Sequence, residues 1–80
     1  MKVKFIGFGG YLETPCYQDE NSKIYFDTNN GYRSALDLHD GAYMDEFGDI
    51  VGEPNKRITE KYECDNQYKI SLRTSETLRP

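Results

Sequence analysis

Cysteine and histidine, the residues that most often staple, metallate or catalyse in a small domain, are scarce here. The 80-residue chain holds two cysteines, Cys16 and Cys64, and one histidine, His39. Two cysteines are too few for a disulfide scaffold, and their spacing fits no zinc pattern. A single bridge requires Cα atoms within about 7 Å, which spacing alone does not decide. The compartment rule favours two free thiols and a cytoplasmic protein. No apolar run is long enough to span a membrane. The start, Met-Lys-Val-Lys-Phe-Ile-Gly-Phe-Gly-Gly, has too short an apolar stretch for a signal peptide. There is no Asn-x-Ser/Thr acceptor, no internal repeat and no low-complexity tract. Nor does a 3.6-residue apolar period persist over a helix length, which excludes a long helix.

What is present points to a folded domain with little to spare. A chain of this size hides only about 60–65% of its open-chain surface, so its core is thin. An enclosed active site competes with that core for buried residues, and the length therefore favours a non-catalytic protein with no cofactor. Seven tyrosines and four phenylalanines exclude a disordered chain, since such chains are poor in aromatics.

The patterning is that of short strands. Val3 and Phe5 alternate with Lys2, Lys4 and Ile6, and Gly7, Gly9 and Gly10 then predict a bulge or a turn into a second strand at 11–17. Pro15 predicts that this second stretch lies at an edge or is interrupted. Asp19, Glu20, Asn21 and Ser22 form a polar turn cluster. Beyond it Ile24 and Phe26 face one way, with Lys23, Tyr25 and Asp27 opposite. Thr28-Asn29-Asn30-Gly31 is the strongest turn signal. Leu36 and Leu38 predict another short strand at 35–39, and the Gly- and Pro-punctuated stretch 40–55 admits one helical turn near 43–47. The last third predicts a β-hairpin, its arms at 58–64 and 68–72 joined through Asp65-Asn66-Gln67. The expected architecture is mainly β: a small antiparallel sheet or partly open barrel of five to six short strands. Residues 1–74 form its single domain and 75–80 a polar tail.

Sequence motifs for catalysis and cofactor binding fail. Gly7-Phe8-Gly9-Gly10 lacks both the third glycine of a dinucleotide loop, where Leu12 stands, and the Gly-Lys-Ser/Thr of a phosphate loop. No frame starting at Asp27, Asp37, Asp40 or Asp45 supplies both the glycine and the glutamate of an EF-hand loop. An irregular site for a divalent cation in the acidic loop 37–53, or for a small ligand at the glycine junction 7–10, stands as an alternative function. Cysteine catalysis needs His39, oriented by Asp37 or Asp40, beside Cys16 or Cys64. A thiol on an alternating strand, as Cys64 is, more often packs as a small hydrophobe.

Charge gives the sharper signal. The net charge is −4, yet the two ends are slightly basic. Between Glu13 and Glu53 ten acids face only Lys23 and Arg33, a local balance of −8. A field of this sign repels phosphate backbones and anionic membranes and favours basic partners. Tyr25, Tyr32, Tyr43, Phe47 and Tyr62 are interleaved with these acids, and tyrosine is enriched at protein interfaces. The expected partner-binding residues are Asp37, Asp40, Tyr43, Asp45, Glu46, Phe47, Asp49 and Glu53. A homo-oligomer paired through an exposed edge strand is a further structural alternative.

In manner the chain resembles the small acidic proteins encoded by bacteriophages and other mobile elements of low-GC bacteria. The Lys-Ile-Tyr-Phe-Asp run at 23–27 and the Asp-Glu-Phe-Gly-Asp-Ile-Val-Gly-Glu-Pro run at 45–54 carry that likeness. The resemblance implies stoichiometric inhibition of a host nucleic-acid-binding or defence protein, with carboxylates where DNA phosphates would sit. It transfers no functional residue.

Overall fold

The computed structural model describes residues 1–32 and 35–70. Six strands form one open sheet: β1 (Lys2–Gly9), β2 (Thr14–Asp19), β3 (Ile24–Asp27), β4 (Leu38–Met44), β5 (Ile50–Gly52) and β6 (Glu63–Cys64). Their order is β5-β4-β3-β2-β1-β6. The first five form an antiparallel meander, and β6 adds to β1 in parallel. The expected mainly β class, strand number and small sheet are all observed. No helix occurs among the described residues; the stretch at 43–47 runs instead from β4 into a hairpin turn.

Strand alternation gives the thin sheet two apolar clusters. Val3, Tyr17, Tyr25, Leu36 and Leu38 make one, with Phe5, Ile58, Tyr62 and Cys64 against it. Cys16, Ile24 and Phe26 make the other, joined by Ile6, Ala42 and Ile50. The second cluster is closed at one corner, where β1 curls back to β5. The amide of Gly10 donates to the Ile50 carbonyl at 2.9 Å and that of Tyr11 to the Gly52 carbonyl at 3.0 Å. Both outward carbonyls of β5 are thereby occupied.

Three expectations need correction. Pro15 does not put β2 at an edge; β2 is interior, between β1 and β3. The ladder to β3 begins only at Cys16, so the proline lies beyond it. The strand expected at 11–17 starts at Thr14, because 11–13 form the turn. The C-terminal hairpin is absent as drawn. Of its first arm only Glu63 and Cys64 are strand, paired with Lys2 and Val3. Asn66 then makes a side-chain counterpart of a strand pair: the Phe5 N–H donates to its Oδ1 at 2.9 Å, and its Nδ2 donates to the Phe5 carbonyl at 3.2 Å. Beyond it the Tyr68 amide donates to the Tyr17 hydroxyl at 2.8 Å and the Ile70 amide to the Gly31 carbonyl at 2.9 Å. The segment thus runs on across the first cluster instead of folding back on itself. Residues 71–72 of the expected second arm and the 75–80 tail lie outside the described residues.

The bulge expected near Gly7 is present. Phe5 pairs with Tyr17 but Gly7 with Cys16, leaving Ile6 as the extra residue. That slip returns Phe8 to the face of Phe5, where both rings meet Tyr68, at 5.4 Å for Phe5 and 4.9 Å for Phe8. Gly7 adopts φ +130° in open space, whereas a Cβ placed on Gly52, at φ +106°, would collide with the Gly41 carbonyl oxygen and lie 3.3 Å from the Tyr43 ring.

Two substitutions separate strain from collision. Gly7→Ala is expected to cost about 1–3 kcal/mol through its backbone angle alone. Gly52→Ala adds overlap with Gly41 and is expected to cost about 2–4 kcal/mol, most of what a core this size supplies. Urea midpoints at constant slope measure both; equal losses at the two sites would contradict the close approach at Gly52.

Candidate functional site: an apolar, acidic end of the sheet

The two hydrogen bonds that close the corner also lay the start of the β1–β2 turn along β5, so that Tyr11 stands beside Gly52 while the hairpin tip lies at the other end of the same strand. In the turn, Tyr11 is 85% exposed and Leu12 68%. In the hairpin, Asp45 Oδ1 accepts the amides of Phe47 at 3.0 Å and Asp49 at 2.9 Å, an Asx turn that fixes the tip. Phe47 stands there 80% exposed, with Tyr43 at 60% and Met44 at 50% on the strand below. Five of the seven exposed large hydrophobic residues among the described residues therefore lie on the β1–β2 turn and the β4–β5 hairpin, which meet along β5. Single exposed apolar residues need no explanation, but a concentration of them marks an interaction surface.

The same turn and hairpin carry Glu13, Glu46 and Asp49, and Glu53 follows directly on β5, all exposed. Neither stretch from which they come, 5–22 or 40–55, contains a lysine, arginine or histidine. The end is thus apolar at its contacts and negative in its field.

The expected partner-binding residues divide into two groups. Tyr43, Glu46, Phe47, Asp49 and Glu53 are exposed along the β4–β5 hairpin, from its tip to the exit of β5. Asp37, Asp40 and Asp45 have their carboxylates engaged within the fold. Asp37 Oδ2 accepts from the Thr28 hydroxyl at 2.8 Å, while its Oδ1 accepts from Arg57 Nε at 3.0 Å and lies 3.4 Å from His39 Nε2. Asp40 accepts the Lys56 amide at 2.8 Å through Oδ1, which straps residues 55–57 against β4. The interleaved tyrosines divide likewise. Tyr25 is buried, its hydroxyl donating to Asp19 at 2.8 Å, and Tyr62 is half-buried, donating to the Leu36 carbonyl. Tyr32 is exposed but lies on the β3–β4 connection.

Tyr11, Leu12, Glu13 and Met44 belong to the site and were not expected there. The signal was available: a large apolar pair between Gly-Gly and Thr-Pro sits where a turn is more natural than a strand.

Other candidate constellations are accounted for by the fold. The amides of Gly10 and Tyr11, which a phosphate would need, already donate to β5. No group of three or more His, Cys, Asp or Glu among the described residues is arranged to hold a metal ion. Cys16 and Cys64 are both free thiols. Cys16 is buried and donates to the Thr14 carbonyl at 3.2 Å, and burial pushes its pKa up to about 11, so it remains a thiol. Cys64 bonds to Asn66 at 3.4 Å, and His39 Nδ1 to the Asn55 carbonyl at 3.1 Å. No helix of the described residues is long and apolar enough to cross a membrane. With fold and site in hand, the class is an open mixed sheet with an apolar, acidic end; no family model, curated protein or solved structure matches this chain.

Two measurements test this division of labour. Because Tyr11 and Phe47 stand outside the packed clusters, Tyr11→Ala and Phe47→Ala are each expected to change stability by less than about 0.5 kcal/mol; a larger loss in urea unfolding would mean that they serve the fold. The engaged carboxylates should appear in acid. The Thr28 hydroxyl, aided by His39 and Arg57, outweighs burial and holds Asp37 below the usual carboxylate range. At Asp19, burial acts upward, but the Tyr25 hydroxyl, the Lys23 and Asn21 amides and the Lys23 charge prevail and lower it. Both groups titrate lower folded than unfolded. Their contribution is therefore complete above the unfolded value near 4 and is lost as pH falls through the folded values. Asp37→Asn should flatten that acid limb in unfolding curves taken across pH, and an unchanged limb would contradict the assignment.

Proposed function

We propose that this protein is a non-catalytic binding module that docks its apolar, acidic end onto a basic surface of a protein partner. One observation carries the reading: exposed aromatics and unopposed carboxylates lie together along the β1–β2 turn and the β4–β5 hairpin, which distant parts of the sequence contribute to one edge. Packing does not require Tyr11, Phe47 or Leu12 to be large, and an aromatic left in water gains only when a partner covers it. The carboxylates around them steer a cationic partner and select against anionic ones.

The likeness to small bacteriophage and mobile-element proteins supports a stoichiometric inhibitor of a host nucleic-acid-binding or defence protein. In that role Glu13, Glu46, Asp49 and Glu53 take the places of DNA phosphates on the partner's basic groove. Two free thiols suit the reducing cytoplasm in which such a partner works.

Reversal of Glu46, Asp49 and Glu53 to Lys tests the reading and leaves the structural Asp45 in place. Association with a partner captured from host lysate is expected to slow about tenfold or more and to lose its salt dependence. Reversal of Glu20, Glu60 and Glu63, three exposed acids that lie elsewhere, serves as the charge-matched control. Equal effects of the two reversals, or none from the first, would refute a localised acidic surface.

A further inference from the structure

Resting on that docking surface, we infer that its anchoring subsite, the groove beside Tyr11, receives an arginine side chain of the partner. The groove is a solvent-open depression of about 480 Å3 lined by Gly10, Tyr11, Ile50, Val51, Gly52 and Glu53, room for one long side chain. The fold itself packs against its two glycines, Phe26 against Gly10 and the Gly41 carbonyl against Gly52, so Tyr11, Ile50, Val51 and Glu53 are the side chains left to meet an occupant. Gly52 is the hinge of the arrangement. Its carbonyl accepts the Tyr11 amide at 3.0 Å, the Tyr43 ring abuts it from the neighbouring strand, and Glu53 follows it in the chain. The exposed phenol of Tyr11 and the carboxylate of Glu53 thus line the same groove, with Tyr43 packed on the other side of Gly52.

This set of groups matches a guanidinium better than any other side chain. A guanidinium is planar and weakly hydrated, stacks on an aromatic face and donates two parallel N–H bonds to one carboxylate. An ammonium uses the charge but is held more strongly by water, and an apolar side chain leaves the carboxylate unanswered. No base stands in the stretches that build this end to compete for Glu53. A second copy of the chain is a poor occupant, since it brings the same four carboxylates to the contact. Its described arginine, Arg57, is moreover held by Asp37 at 3.0 Å.

The probes are a short Arg–Ser repeat peptide and its Lys–Ser counterpart, titrated into the full chain with calorimetry and amide NMR shifts. The arginine peptide is expected to bind about three- to tenfold more tightly than the lysine peptide, the span of a modest cation–π contact. The shifts should centre on Tyr11, Gly52 and Glu53. Tyr11→Leu and Glu53→Gln should each erase that preference with the melting temperature unchanged, and Glu60→Gln should keep it. Equal binding of the two peptides, or a preference that survives Tyr11→Leu, would overturn the arginine subsite. The acidic docking reading would still stand if both peptides weaken when Glu46, Asp49 and Glu53 are reversed. Binding of neither peptide to the unaltered chain would overturn the subsite and the docking reading together.

Discussion

Two backbone hydrogen bonds, from the amides of Gly10 and Tyr11 to the carbonyls of Ile50 and Gly52, tie together residues forty positions apart and give the sheet its closed corner. Each is worth only about 1 kcal/mol in net terms, yet the consequences exceed that sum. The corner closes over Phe26, whose ring Gly10 faces, and brings Gly9 against Ile50. It occupies the outward carbonyls of β5, which would otherwise be an open template for another strand. It also lays the β1–β2 turn along β5, and the candidate surface depends on that placement. The fold and the site therefore share one contact.

The opposite face is closed by different means. Residues 57–70 lie across the first cluster, held by the Asn66 amide on Phe5, by the Tyr17 and Tyr62 hydroxyls and by the Phe5, Phe8 and Tyr68 rings. Aromatic residues here join packing to a polar tether, which suits a chain too short for a deep aliphatic core. Tyr17 shows the cost of such a design. Burial pushes its hydroxyl up to about 12, so it stays neutral and serves only as a fixed hydrogen-bonding post.

Local pattern made much of this legible. Alternation placed Val3 with Phe5 and Ile24 with Phe26, and the polar cluster at 19–22 is the β2–β3 turn, with Asp19 Oδ1 accepting the Asn21 and Lys23 amides. The same alternation grouped Ile58, Glu60, Tyr62 and Cys64 on one face, of which Ile58, Tyr62 and Cys64 pack half-buried against the first cluster and Glu60 is exposed. It failed where the partner was distant. Nothing near Glu63 announces that its strand partner is Lys2, and the Asn66 side chain reads as a turn residue because its pairing with Phe5 spans 61 positions. Pro15 misled for a related reason: its penalty applies only where a ladder needs its N–H, and the register that removes the need is tertiary. The site was half legible. Acid density marked the hairpin but not the turn at 11–13, which supplies the most exposed aromatic of the surface.

Charge counts also merge two effects that the structure separates. Asp37, Asp40 and Asp45 were counted with Glu46, Asp49 and Glu53, yet their oxygens already accept bonds within the fold. They make poor contact residues for that reason, but their charge is not erased. At physiological ionic strength a field extends about 8 Å, so Asp45, at the foot of the hairpin turn, still contributes to the potential that an approaching cation meets. Contact depends instead on Tyr11, Tyr43 and Phe47 with the unengaged carboxylates beside them. Encounter and anchoring thus draw on overlapping but distinct residues. That separation lets a small domain hold its turns together with some of its acids and recognise a basic surface with the rest.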